Sequence, residues 1–266
     1  MDCKVGEKMN EHREALTTQQ VCDLILNRVK STQPFCLTRC GDGEAMILEG
    51  NISIVRPVLE KHLGRIYSDE EIQNIRQNLI ETFEKSDLIG VQHWAIKYKD
   101  NPAYFYWAHA PEILQKTCNL NKQQLCSVDI AYDWLTTDFY NRLLRDRKNV
   151  LFVSCRDIGL RMKKVFNIQD IDYKIITGEK FSEPIDTGEL HYPGQFNKIV
   201  SWIDSIDCSG KICLVGAGIV GKKYVALFKE RGGIALDIGA VFDMWAGKLT
   251  RGPGAGPGKQ NNTYKL

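Results

Sequence analysis

Short apolar runs alternate with helix-patterned segments along most of the chain, and this alternation limits its possible folds more than any other feature. Such runs are typical of buried strands, and they occur at residues 35–37, 87–91, 149–154, 173–177, 211–215 and 234–237. Between them, apolar residues recur at the spacing of an amphipathic helix. The repetition predicts an α/β fold, a single Rossmann-like domain whose mostly parallel sheet is flanked by helices.

The ends of the chain differ in composition from its interior. Residues 1–16 are polar, and we expect a flexible N-terminus there. Residues 17–250 contain no linker-like stretch and are predicted to form one domain. The remaining segment, 251–266, begins RGPGAGPG and is predicted to be a Gly/Pro-rich tail.

Composition and charge exclude several classes of protein. A net charge of +2 argues against a nucleic-acid-binding protein, which needs a strongly basic face. There is no apolar run of membrane-spanning length and no signal-peptide core, so we expect neither an integral membrane protein nor a secreted one. Nine scattered cysteines without CxxC spacing suggest free thiols in a reducing compartment, which predicts a cytoplasmic location.

The loop after the first apolar run carries the densest chemistry in the chain. It reads RCGDGE, in which Gly41 and Gly43 flank Asp42, and Glu44 follows. The glycines leave room for a bound group, so the two carboxylates could turn toward one Mn²⁺ or Mg²⁺ ion. Such ions commonly take one or two carboxylates and complete their coordination with water and substrate phosphates. The pattern therefore indicates a metal site at Asp42 and Glu44.

Arg39 precedes this loop and adds a planar cation suited to phosphate oxygens. Metal, carboxylates and arginine together are typical of a site for a nucleoside diphosphate. The alternative is an ordinary tight turn, because Asp-Gly is itself a strong turn signal.

A second glycine-rich segment, GAGIVG, begins at Gly216 and follows the apolar run at 211–215. Asp237 lies 21 residues after Gly216, where a dinucleotide-binding fold places its ribose-binding acid. Gly216, Gly218 and Asp237 are therefore candidate cofactor contacts. A dinucleotide domain normally places this unit first, however, and here it comes last. Ligand contact and close packing of the helix on the sheet both remain open.

Three further segments carry candidate residues. Arg156 follows the run at 149–154 and is a second arginine at a strand end, which suggests nucleotide contact. The aromatic stretch 93–107 fits either a platform for a sugar ring or a helix in the core. The polar stretch 178–193 is long enough to predict a functional or disordered loop. In addition, residues 133–144 have a helical pattern.

Two of these segments resemble one known family. RCGDGE is similar to the R-x-G-D-G-E segment of the GT-D fold glycosyltransferases. The C-terminal part resembles that family's closing segment, from Val215-Gly216-Ala217-Gly218 through Ala235-Leu236-Asp237-Ile238-Gly239 to Phe242-Asp243-Met244-Trp245-Ala246-Gly247. The resemblance covers roughly residues 20–250. Cys40 departs from it, because an aromatic or other apolar residue is common at that position.

The resemblance implies a GT-D type fold and a hexosyl-type transferase. The donor would be a nucleoside-diphosphate sugar, with a UDP-sugar favoured, and the acceptor a hydroxyl group of a glycan or glycoconjugate. Mn²⁺ or Mg²⁺ would lie at Asp42 and Glu44, with Gly41 and Gly43 close to the donor and Arg39 facing its diphosphate.

An inverting transfer needs a general base to remove the proton of the acceptor hydroxyl. The residues alone offer Asp133, Asp157, Glu189 and His191 and do not decide among them.

Two other functions remain as alternatives. One is an NAD(P)-dependent oxidoreductase that uses Gly216 to Asp237, and the other is a non-catalytic nucleotide-binding protein.

Overall fold

The computed structural model describes residues 15–92, 100–120, 123–179, 187–248, 250 and 264–266. Most of the predicted N-terminal segment 1–16 and of the predicted tail 251–266 therefore lies outside the described residues. The residues of these two terminal segments that the structure does describe contact the rest of the domain. The Leu16 N–H donates to the carbonyl of Leu125 at 2.8 Å, and the Leu266 N–H donates to the carbonyl of Trp245 at 3.2 Å.

The described residues contain seven strands and eleven α-helices. The strands are β1 Phe35–Arg39, β2 Leu88–Val91, β3 Gln124–Ser127, β4 Asn149–Ser154, β5 Asp170–Ile175, β6 Ile212–Gly216 and β7 Ile234–Asp237. The helices are α1 Thr18–Ser31, α2 Asp42–Glu49, α3 Ile52–Leu63, α4 Asp69–Lys85, α5 Phe105–Thr117, α6 Ile130–Asp133, α7 Phe139–Leu144, α8 Gly159–Phe166, α9 Phe196–Ser205, α10 Lys222–Glu230 and α11 Val241–Trp245.

All seven strands join one parallel sheet in the order β3-β2-β1-β7-β6-β4-β5. The chain starts near the centre with β1 and moves outward through β2 and β3. It then crosses to the other half and returns to the centre with β7. The first and last strands are therefore neighbours, with Phe35 paired to Ile234 and Leu37 to Leu236. Ligands of open α/β sheets bind beyond the carboxyl ends of strands where the winding direction changes.

The core occupies both faces of the sheet. Side chains of a strand alternate between the faces, so Phe35 and Leu37 pack with α1, while Cys36 faces the opposite layer. Both faces are covered, which explains why the strands are continuous apolar runs rather than alternating patterns. The predicted α/β architecture is confirmed, and the sheet is wholly parallel.

Two local predictions differ from the structure. Strand β3 was not predicted, because Gln-Leu-Cys-Ser contains too few apolar residues to stand out. The segment 133–144 is not one helix. Thr137 is extended and its hydroxyl oxygen accepts the N–H of Phe139 at 3.2 Å, so a local side-chain bond replaces the helical one.

Thiols and helix lengths complete the description. The eight cysteines among the described residues are all buried and free of disulfides. Within the same part of the chain, every helix is too short or too polar to span a lipid bilayer.

Candidate functional site

A cleft of about 600 Å³ opens at the carboxyl ends of the strands, beside the junction of β1 and β7. This is the location that the strand order predicts for a ligand. Its lining includes Arg39, Gly41, Asp42, Gly43, Glu44, Lys61, His62, Trp107, Asp129, Tyr132, Glu179, His191, Gly216, Gly218, Lys222, Asp237 and Asp243. The acidic loop and the glycine-rich loop, which are far apart in sequence, thus meet at one site.

The acidic loop turns from β1 directly into α2. Gly41 is the extended residue before the helix, and its N–H donates to Glu44 Oε2 at 2.9 Å. A Cβ on Gly41 would lie 3.1 Å from that oxygen and 3.4 Å from the ring of Trp107. The glycine therefore allows the close approach through which Glu44 satisfies a free N–H at the start of the helix.

Glu44 also belongs to a buried network of four charges beneath the cleft. The Arg39 Nη2 lies 3.3 Å from Asp237 Oδ1, and the Lys222 Nζ contacts Asp237 Oδ2 and lies 3.3 Å from Glu44 Oε1. All four side chains are at most 12% exposed. Two cations and two anions that are this deeply buried must compensate one another.

The pKa values in this network follow from that compensation. Burial opposes ionisation of Asp237, but Arg39 and Lys222 outweigh it and hold the pKa of the carboxyl below its usual value. Burial likewise disfavours the Lys222 ammonium, but Asp237 and Glu44 raise its pKa above the usual value. Asp237 and Lys222 are therefore both charged at neutral pH.

Asp42 differs from its neighbours, because its carboxylate makes no hydrogen bond or ion pair with any side chain that the structure describes. It is partly buried, and burial followed by repulsion from Glu44 raises the pKa of this carboxyl. The carboxylate therefore sits in the cleft with backbone N–H groups as its hydrogen-bond partners and without a side-chain ion pair among the described residues, and a hard cation would stabilise it. The described residues form no group of three His, Cys, Asp or Glu metal ligands. The arrangement fits an ion that takes one or two carboxylates and its remaining ligands from elsewhere.

The glycines of the second glycine-rich loop lie in close contact with neighbouring groups. A Cβ on Gly216 would lie 2.5 Å from the Phe242 ring, and one on Gly221 would lie 2.6 Å from the Ala217 carbonyl oxygen. Gly218 has a φ of +60° and adjoins Glu179. Asp237, the expected ribose-binding acid, is 2% exposed and already paired with two cations. These contacts favour packing for Gly216 and an ion-pairing role for Asp237, although both line the cleft.

The structure adds cleft residues that the sequence analysis did not identify. His62 Nδ1 lies 2.8 Å from Glu179 Oε1 and brings α3 against the loop after β5. No sequence signal links these two, because they are 117 positions apart. Lys222 could have been found, because it directly follows the last glycine of GAGIVG. Cys40 is fully buried and is not among the residues that line the cleft.

Arg156 lies beside the cleft rather than in its lining. It is buried, and its Nε donates to Asp243 Oδ1 at 2.7 Å. Asp243 does line the cleft. Arg156 therefore orients a carboxylate of the site, and direct contact between Arg156 and a nucleotide stays a prediction.

The four candidate bases are dispersed. Asp133 accepts from the Thr18 hydroxyl, Asp157 accepts from the Tyr173 hydroxyl, and Glu189 pairs with Lys198. Of the four, only His191 lines the cleft. It is 5% exposed, and its Nε2 lies 2.9 Å from the Tyr224 hydroxyl. Burial lowers the pKa of His191 to about 4, which keeps the ring neutral at physiological pH.

His191 should make the fold sensitive to mild acid. Between pH 6.5 and about 4 the unfolded chain binds a proton at this position that the folded chain does not. Stability is therefore fully present above pH 6.5 and falls as pH decreases through this window, by up to about 3 kcal/mol. Urea unfolding at several pH values measures this. We expect His191→Gln to flatten the slope and His109→Gln, on α5, to leave it intact. An unchanged slope in His191→Gln would contradict the assignment.

The aromatic stretch is divided between core and cleft. Residues 93–99 lie outside the described residues. Trp107, on α5, lines the cleft next to Gly41, whereas Tyr106 on the same helix packs against the core. The indole ring is thus placed beside the acidic loop.

Comparison with known proteins identifies similar domains. The model of a family described as a GT-D fold-like domain matches residues 16–245. A solved structure described as a distinct glycosyltransferase fold of domain of unknown function 1792 superposes with a TM-score of 0.54 at 14% identity, over 85% of this chain and 78% of that one. A glycosyltransferase of the same domain type from Streptococcus sanguinis gives 0.53 at 17% identity, over 85% and 81%. No curated protein matches in sequence.

Proposed function

The chain belongs to the GT-D fold-like family and is a glycosyltransferase, and we propose that it moves a sugar from a nucleoside-diphosphate sugar to a hydroxyl group of a glycan or glycoconjugate, with the help of a divalent cation. One observation carries the donor and metal parts of this proposal. Among the described residues, the cleft lining contains more carboxylates than basic side chains. The carboxylates are Asp42, Glu44, Asp129, Glu179, Asp237 and Asp243, and the basic side chains are Arg39, Lys61 and Lys222 together with the histidines His62 and His191.

A diphosphate is itself polyanionic, so such a cleft would repel it unless further positive charge entered with it. A Mn²⁺ or Mg²⁺ ion supplies that charge and is suited to oxygen ligands. Asp42 would hold it from the start of α2, and Glu44 is the second carboxylate of the same loop. When bound, the ion would offset the charge that develops on the leaving nucleoside diphosphate.

The chain's own residues have separate tasks in this proposal. Arg39 lines the cleft, and its guanidinium has five N–H donors, of which one on Nη1 donates to the Val128 carbonyl and one on Nη2 donates to Asp237, so the guanidinium keeps donor capacity for a phosphate oxygen. Arg156 holds Asp243 at the edge of the site. The Trp107 indole offers an apolar face on which a sugar ring can rest.

The proposal also includes the identity of the donor, which comes from the family resemblance, and the location of the protein, which comes from the state of the thiols. We keep a UDP-sugar as the favoured donor. A cytoplasmic location is supported by the eight buried thiols, none of which forms a disulfide.

The alternatives find less support. An oxidoreductase would need Asp237 for ribose, but Arg39 and Lys222 already occupy both of its oxygens. A non-catalytic nucleotide-binding protein would not need a partly buried carboxylate held beside another, which is the situation of Asp42.

Thermal unfolding with candidate ligands tests the proposal. A ligand at about 100 times its dissociation constant stabilises the native state by about 2.7 kcal/mol, which raises the Tm of a domain of this size by several degrees. We expect a shift with UDP-sugars that grows when Mn²⁺ is present. A shift with NAD(H) or NADP(H) that is indifferent to Mn²⁺, with none from any nucleotide sugar, would overturn the proposal. Donor consumption, lost in excess chelator and restored by Mn²⁺ or Mg²⁺, separates a transferase from a binding protein.

A further inference from the structure

Lys222 is a buried cation at the floor of the cleft. Its side chain is 7% exposed, yet it lines the cleft, where Nζ contacts Asp237 and lies 3.3 Å from Glu44 Oε1. An ammonium has three N–H donors, and these two carboxylates engage two of them. Lys222 is also the first residue of α10, directly after the glycine-rich loop.

The backbone N–H groups at the start of α10 are already occupied. In dinucleotide folds, the free N–H groups at the helix N-terminus bind the phosphates. Here the N–H groups of residues 221–224 all donate to carbonyls of the same loop, to Ala217, Ile219, Val220 and Gly221 respectively. The first turn of α10 therefore closes on the loop, and Lys222 is the positively charged side chain of this helix that lines the cleft.

We propose that Lys222 is a fixed cationic contact for the phosphates of the donor, an inference that rests on the proposed function. Glu44 and Asp237 are positioning residues in this arrangement, because they hold the ammonium from two sides. A phosphate oxygen accepts the third N–H and gains a charge-assisted hydrogen bond.

The geometry also explains why the lysine does not need to reorganise when the donor binds. Its carboxylate partners come from two different elements, α2 and the end of β7, and Arg39 ties Asp237 to β1. A side chain that is held in this way has already lost its rotamer freedom in the folded protein, so the entropic penalty on binding is small. The charge is thus preorganised toward the leaving group.

The test is calorimetric binding to the full chain in saturating Mn²⁺. The probes are UDP, GDP, CDP and ADP, each with its nucleoside as a phosphate-free control. We expect Lys222→Met to weaken binding of the preferred diphosphate by about 10- to 100-fold, the loss typical of one hydrogen bond to a charged group. Nucleoside affinity should not change, and Lys222→Arg should recover most of the diphosphate affinity.

Lys223→Met is the matched control. Lys223 is the next residue of α10 and pairs with Glu81 at 2.8 Å, outside the cleft. If Lys222→Met does not fold, the double variant Lys222→Met/Asp237→Asn removes one charge of each sign and is measured against Asp237→Asn alone. If the Lys222 variant binds the diphosphate within twofold of its reference protein, the inference is overturned. The assignment of the chain as a transferase is not affected by that result. Failure of the wild-type chain to bind any diphosphate would instead overturn the proposed function.

Discussion

Replacing Asp42 with asparagine is expected to abolish transfer while leaving the fold as stable as before or slightly more stable. The carboxylate makes no hydrogen bond or ion pair with a side chain among the described residues, and its pKa is raised by burial and by Glu44. A carboxyl whose folded pKa is raised destabilises the native state when it is ionised at neutral pH. Removing the charge therefore removes this destabilisation of the native state. If Asp42 holds the ion, the substitution also removes a metal ligand.

The expected loss of turnover is large, because a bound cation contributes several kcal/mol of charge stabilisation in the transition state. This corresponds to a decrease on the order of 10²- to 10³-fold. Three measurements are needed, namely turnover, Mn²⁺ affinity by electron paramagnetic resonance, and the Tm. The control is Glu49→Gln, at the far end of the same helix, where Glu49 accepts the Tyr106 hydroxyl outside the cleft. Unaltered Mn²⁺ affinity with full turnover in Asp42→Asn would place the metal site elsewhere.

Replacing Asp237 with asparagine should have the largest effect on stability. The substitution leaves Arg39 and Lys222 buried with only Glu44 to balance them. Breaking a buried ion pair by removing one partner costs about 3–5 kcal/mol. In a domain of this size that lowers the Tm by roughly 6–20 °C.

Asp157→Asn is the appropriate comparison for this variant. That carboxylate is exposed and accepts only the Tyr173 hydroxyl among the described residues, so its loss should change the Tm by less than about 2 °C. The Asp237 contribution also has a defined pH dependence. Because the pKa of this carboxyl is lowered in the fold, its stabilisation is present above pH 3.8 and is lost as the pH falls below that value. A Tm decrease for Asp237→Asn no larger than that of Asp157→Asn would show that the network contributes little.

The two variants separate binding from stability within one cleft. Asp42 carries charge without a side-chain ion pair among the described residues, and Asp237 carries charge that two cations neutralise. If both behave as expected, the acidic loop is the part of the site that is held at the expense of fold stability, as is common for functional groups.

The sequence by itself determined the architecture. Continuous apolar runs form strands that are buried on both faces, and such strands occur in parallel sheets covered by helices. The local pattern also placed Arg39 at the end of β1 and Asp42 between that strand and the following helix, although α2 already begins at Asp42. Strand, turn and helix signals act over neighbouring residues. It failed at β3 and at Thr137, where few apolar residues or a single hydroxyl bond decided the outcome.

Only the tertiary structure decided what the candidate residues do. The order of the strands decides whether Asp237 binds ribose or neutralises Lys222. It also decides whether the space beside Gly216 holds a ligand or the ring of Phe242. Strand order brings β1 beside β7, although 194 residues separate them between Arg39 and Ile234. Burial and ion pairing, which set the charge state and availability of each group, arise from these long-range contacts and leave no local trace in the sequence.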